Sequence, residues 1–227
     1  MFYFDVYYLY LVVPALILSM YAQFKVSSAF TKYSKIISQR GYTGAQVARK
    51  ILDLNGLTNI TVERVSGNLT DHYDPQKKVV RLSDSVYSSN SVAALGVAAH
   101  ETGHAIQHST SYAPLKIRTA IFPVVNISSR LAIPLAILGF ILGAPTLVDF
   151  GIILFSAVVA FQTITLPVEF NASTRALKIL EGTAILSDDE TKCAKKVLTA
   201  AALTYLAAAL TSLANLARLI LLNNRRR

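Results

Sequence analysis

The sequence predicts a mainly α integral membrane protein, with about four transmembrane helices and a small α+β domain that contains a short β-hairpin. Three observations predict it. Of the 227 residues 53% are hydrophobic and the mean hydropathy is +0.45, more than an ordinary soluble domain carries. The excess is gathered into blocks at residues 6–22, 119–143, 150–166 and 197–222, each near the length that crosses a bilayer. Polar sequence is confined largely to residues 23–118 and 167–196, where helix caps and short β-rich runs point to folded structure outside the lipid.

The organisation that follows is an N-terminal transmembrane anchor (1–24), a main polar region (25–118), a helical hairpin through the membrane (119–166), a second polar segment (167–196) and a C-terminal transmembrane helix with a basic tail (197–227). In the anchor, Tyr7, Tyr8 and Tyr10 suit the membrane interface. No positive charge precedes the block and no small-residue cleavage site follows, so a retained anchor is expected rather than a signal peptide.

In the main polar region, Thr43-Gly44-Ala45-Gln46 is a capping box that opens a helix through Leu54, and Asn55-Gly56 closes it. Residues 60–65 and 79–82 read as two strands around the turn-rich stretch 67–76. The second of these is expected to be an edge strand, able to pair with an extended peptide through its main chain. An alanine-rich helix is predicted from residue 91 to 107, with Gly96 and Gly103 as weak points.

The two hairpin spans meet at Ala144-Pro145-Thr146. Asn126, Ser128, Ser129 and Arg130 interrupt the first, and Arg130 is expected at an interface, paired internally, or facing the polar domain. Beyond the hairpin, a helix is predicted to continue to Leu180 and stop at Gly182, and Ser187-Asp188-Asp189-Glu190 is a second capping box that opens the last helix. The Ala, Ser and Thr content of that helix favours close packing, which makes an oligomer as well as intrachain packing plausible.

Charge orients the chain. The two polar segments hold 17 of the 22 Lys and Arg residues, and none falls in the hairpin turn or before the anchor. The positive-inside rule places both segments in the cytoplasm. Arg225, Arg226 and Arg227 oppose this, since four spans put them outside: either the last helix does not cross or the tail is outvoted. The net charge of +9 is a topology signal, and without a base-reading motif nucleic-acid binding is not expected. A lone Cys193 excludes an intramolecular disulfide and any zinc-finger spacing.

Chemistry concentrates in His100-Glu101-Thr102-Gly103-His104. Two histidines four apart on a helix lie about 40° from eclipsed and about 6 Å apart along the axis, so both imidazoles can reach one metal ion. Glu101 sits on the adjoining spoke, within reach of a water beside that ion but not itself a ligand, which is the placement of a general base. The implied cofactor is Zn2+. Such a site needs a third ligand and an open position. His108 lies a further turn along and is too far unless the helix breaks. Glu169 is favoured, because two membrane crossings separate it from His104 and return the chain to the same side; Glu181, beside Gly182, reads as a solvated acid. For the group that stabilises the oxyanion, His72, Tyr73, Tyr112 and Arg175 are candidates, and His72 is preferred as the histidine outside the motif helix.

These residues resemble the YugP-like neutral zinc metallopeptidases, small bacterial membrane proteins of the wider gluzincin group. The resemblance covers nearly the whole chain, through Asp71-His72-Tyr73-Asp74-Pro75, the stretch from Ala98 to Gln107, and Val168-Glu169-Phe170-Asn171-Ala172-Ser173. It implies a gluzincin-like domain in which His100, His104 and Glu169 hold zinc and Glu101 is the catalytic base. Two positions depart from the pattern: Asn171 stands where the YugP-like group leads one to expect Asp, and Ser173 where HtpX-type membrane gluzincins carry Asp. The expected function is peptide-bond hydrolysis of membrane-associated proteins or peptides. The rival is a membrane scaffold or adaptor that binds zinc without turnover, against which stand the three-ligand count and the intact Glu101.

Overall fold

The computed structural model describes residues 5–225, so Arg226 and Arg227 and the first four residues of the anchor lie outside the described residues. Seven α-helices and three strands follow in the order α1 (Val13–Tyr33, preceded by a π-helical turn at Tyr8–Val12), α2 (Gly44–Leu54), β1 (Thr61–Val65), β2 (His72–Asp74), β3 (Val79–Ser83), α3 (Asp84–Tyr87), α4 (Val92–Ser109), α5 (Ala113–Leu142), α6 (Pro145–Gly182) and α7 (Asp188–Asn224). Four helical stretches, Tyr8–Tyr33 and α5, α6 and α7, are long and apolar enough to cross a membrane. The chain divides into two compact units, one of residues 1–23, 116–167 and 203–227, the other of residues 24–115 and 168–202.

In the first unit, α5 and α6 form the expected hairpin. Gly143 takes φ +61°, and Pro145 opens α6, where its missing N–H costs nothing. A small-residue seam brings the two backbones together. Gly151 of α6 lies so near Ala132 and Ala136 of α5 that a Cβ there would stand 2.8 Å from the Ala132 carbonyl oxygen. Ala132, Ala136, Phe155 and Leu219 make the buried cluster. Most of the remaining apolar surface, including Ile127, Leu131, Ile137, Ile141 and Ile153, is exposed, as a lipid-facing surface should be. Polar pairs tie the helices near their ends, with Arg218 on Asp5 and Asn223 on Asp149, while Ser19 meets Thr211 at 3.0 Å. Asn126, Ser129 and Arg130 lie on exposed surface of α5 and only Ser128 is buried.

The second unit is built on α4. Alanines let neighbours approach it on two sides: Ala93, Ala94 and Ala98 join Ala48 and Leu52 of α2 with Val80 and Leu82 of β3, while Val92, Leu95 and Ala99 join Ile51 with Ala176 and Leu180 of α6. Both predicted capping boxes form. Thr43 and Gln46 exchange side-chain to backbone bonds at α2, and Ser187 and Glu190 do so before α7, where Glu190 also accepts the Gln39 N–H.

The sheet corrects the prediction. The strands expected to flank a hairpin, β1 and β3, run parallel, and β2, which falls within the stretch read as turn, pairs antiparallel with β3 to give the order β1-β3-β2. The short hairpin of the fold is therefore β2–β3. The expectation that residues 79–82 form an edge is overturned too: β3 is the central strand, paired on both sides. Its Val79, Val80, Leu82 and Ser83 are all buried, as in a strand covered on both faces, and among the described residues the outer strands are β1 and β2.

Candidate metal centre

Ser91 caps α4 by accepting the Ala94 N–H at 3.3 Å, and the helix runs unbroken through the motif. His100 and His104 present their rings edge to face with centroids 4.8 Å apart. Opposite them α6 supplies Glu169, whose Oε2 lies 3.3 Å from His100 Nε2 and 3.5 Å from His104 Nε2. The carboxylate is 3% exposed. Gly103 permits this approach: a Cβ there would stand 2.8 Å from the Ala172 carbonyl oxygen, so the helices touch backbone to backbone beside His104. The glycine that weakens α4 in isolation is what lets α6 reach it.

One ligand atom from each of His100, His104 and Glu169 lies within 4.8 Å of the other two. The outer ring nitrogens are occupied elsewhere: His100 Nδ1 is 3.1 Å from Ser173 Oγ and His104 Nδ1 3.0 Å from Gln107 Oε1. Both Nε2 atoms are thus left facing a buried carboxylate, an electron-rich cluster that a divalent cation would neutralise. Two imidazole nitrogens and one carboxylate oxygen fit zinc.

Glu101 is buried, and removal from water raises its carboxyl above the usual range, with the neighbouring histidines opposing the shift and Glu169 and Asp71 adding to it. For His104, burial acts against the cation, yet the Glu169 hydrogen bond and the Glu101 charge outweigh it and raise the imidazole. Asp71 accepts the Ser83 N–H at 2.7 Å and the Ser83 hydroxyl at 2.9 Å; burial nevertheless raises its carboxyl.

The structure brings together three of the residues singled out in the sequence as ligands and sets Glu101 on the same helix beside them. His72 is held elsewhere. Its Nδ1 bonds the Thr70 carbonyl and its Nε2 lies 3.4 Å from Arg81, on the exposed face of the sheet that also carries Asp74. Side chains alternate along a strand, so it is Tyr73 that turns towards α4, where its hydroxyl meets His108 Nδ1 at 2.9 Å. His108 is engaged there and is outside the cluster. Tyr112 lies against the Arg175 guanidinium, 6.0 Å from ring centroid, and Glu181 is exposed. Sequence reasoning passed over Gln107. Its signal was spacing: three residues after His104, it shares that face of the helix.

A motif helix bearing two histidines and an acid, met by a buried carboxylate from an apolar helix, defines a candidate metal centre in a chain with four membrane-length helices. The chain belongs to the family described as "Putative neutral zinc metallopeptidase", which matches residues 8–224. It is 54% identical over 215 residues to the "Putative membrane protease YugP" of Bacillus subtilis (strain 168), covering 95% of this chain and 96% of that protein. No solved structure matches it.

Proposed function

We propose that this chain is a membrane-embedded zinc metalloendopeptidase of the gluzincin type, with His100, His104 and Glu169 as metal ligands and Glu101 as general base. The observation that carries it is the convergence of the two Nε2 atoms and the Glu169 carboxylate at one buried point. Zinc bound there supplies a Lewis acid that polarises a peptide carbonyl and acidifies water. Glu101 takes a proton from the attacking water as its oxygen bonds to the carbonyl carbon, then delivers that proton to the amine as the C–N bond breaks. The charge of a nearby cation favours the Glu101 carboxylate and counters the effect of burial.

The peptide lies extended against β2, whose outer edge has no strand partner among the described residues and whose Tyr73 faces α4. Tyr73 is a better oxyanion donor than His72, which is bonded on the other face. Substrates are membrane-associated proteins or peptides, a class supported by the four membrane-length helices and by the likeness to a bacterial protein described as "Putative membrane protease YugP"; the basic charge of the polar segments supports the cytoplasmic face.

The test uses detergent-purified protein and a fluorogenic peptide library. Wild type should hold about one zinc per chain and cleave; Glu101→Gln should hold zinc and not cleave. Zinc in both with cleavage by neither would favour the scaffold reading, and full zinc retention in Glu169→Ala would displace Glu169 from the ligand set.

A further inference from the structure

Gln107 is completely buried, and each polar atom of its side-chain amide has a partner. Nε2 lies 2.8 Å from the main-chain carbonyl oxygen of Val168 and 3.0 Å from Asn171 Oδ1; Oε1 lies 3.0 Å from His104 Nδ1. Which end of an amide is nitrogen is ordinarily an assignment, but two constraints fix it here. A main-chain carbonyl only accepts, so the atom of Gln107 that faces Val168 is the donor. Independently, Arg175 Nε donates to Asn171 at 2.8 Å, and a guanidinium only donates, so the Asn171 atom that faces both Arg175 and Gln107 is the oxygen. Both constraints turn Gln107 Oε1 towards His104, and an oxygen there requires a proton on Nδ1.

We infer that Gln107 is a positioning residue that holds His104 as the Nδ1–H tautomer and thereby keeps the Nε2 lone pair aimed at the metal position. The inference rests on the proposed ligand role of His104. The two histidines are not held alike: Ser173 Oγ can donate or accept, so the His100 tautomer is left free while that of His104 is dictated through Gln107, Asn171 and Arg175. The relay is neutral where it meets the imidazole. It orients the ring as a carboxylate would, without adding negative charge behind a site that already contains Glu101 and Glu169.

The tautomer can be read without metal. Metal-free Glu169→Ala protein, in which no carboxylate faces Nε2, labelled with 15N-histidine at a pH where the imidazoles are neutral, should show His104 in long-range 1H–15N correlation as a single Nδ1–H form. Gln107→Met added to Glu169→Ala should give a mixed or Nε2–H form, and Gln107→Met alone should weaken zinc binding, measured by chelator competition, about 10 to 100-fold. Asn171→Asp keeps an acceptor for both Gln107 and Arg175 and should preserve the tautomer, which general damage to the helix contact would not. An Nε2–H form in Glu169→Ala overturns the inference even if Gln107→Met does not fold. So does a pure Nδ1–H form with unchanged zinc affinity in Gln107→Met. The Nδ1–H form in Glu169→Ala together with no zinc binding by wild type would instead refute the ligand reading and leave the relay standing.

Discussion

Glu101 and Glu169 are both buried and both act on His104, yet the proposed chemistry asks different things of them. Glu169 must be a permanent anion; Glu101 must gain and lose a proton. Replacing either by glutamine keeps the shape and removes the charge, so the two variants should separate. Glu169→Gln should lose at least about 100-fold in zinc affinity by chelator competition, since one of three ligands becomes a poor donor. Glu101→Gln should hold zinc within about threefold of wild type, while peptide turnover falls by about 100-fold or more, the contribution of a general base. The histidine pair was legible in the sequence because four-residue spacing on a helix is a local property. Glu169 needed a count of membrane crossings as well. The sides taken by His72 and Tyr73 were not legible, because only the pairing of a strand decides which face a side chain takes, and a three-residue strand has no periodicity to read.

At the level of elements, the contact between α4 and α6 depends on Gly103. Gly103→Ala should force the helices apart, cost about 1–3 kcal/mol in chemical unfolding, and weaken zinc binding more than substitution at an exposed glycine such as Gly56. The β2–β3 turn offers a pH test. Asp74 accepts the backbone N–H groups of Lys77 and Gln76 and bonds Arg81, and the Lys77 N–H above all holds its carboxyl below the ordinary value of 3.8. A depressed carboxyl stabilises the fold fully above its unfolded value, and that stability is lost as pH falls through the folded one. The difference in melting temperature between wild type and Asp74→Asn should therefore be constant near neutrality and narrow below about pH 4. Helices with caps were read to within a residue or two, as at α2 and α4, because a cap and an apolar face are local signals. Parallel pairing of β1 with β3 was not, because it depends on a partner that nothing in either strand specifies.

For the molecule as a whole, the proposed topology assigns the β2–β3 turn and the α5–α6 turn to opposite sides of the membrane. Cysteines introduced at exposed Lys77 and Thr146 in a Cys193→Ser background test it in intact cells with a membrane-impermeant maleimide. Thr146→Cys should label and Lys77→Cys should stay protected until the membrane is permeabilised; the reverse would place the site outside. The four apolar blocks were plain in the sequence because length and hydropathy are all that a span requires. The end of α6 was legible too: the sequence predicts a helix that continues beyond the hairpin and stops at Gly182, and α6 runs unbroken from Pro145 to that glycine, since a helix that leaves the lipid changes composition without changing conformation. That continuity bears on biogenesis. His104 is made 65 residues before Glu169. At about 5–20 residues per second, the ribosome takes about 3–13 s to cover that interval. Throughout it the nascent chain has its histidines and its base but lacks the carboxylate that completes the cluster. Glu169 arrives on the same helix as the second arm of the hairpin, so on the proposed ligand set the enzyme becomes competent only as that arm is synthesised and inserted. A protease that would act at the membrane where it is made thus has its activation tied to its own insertion.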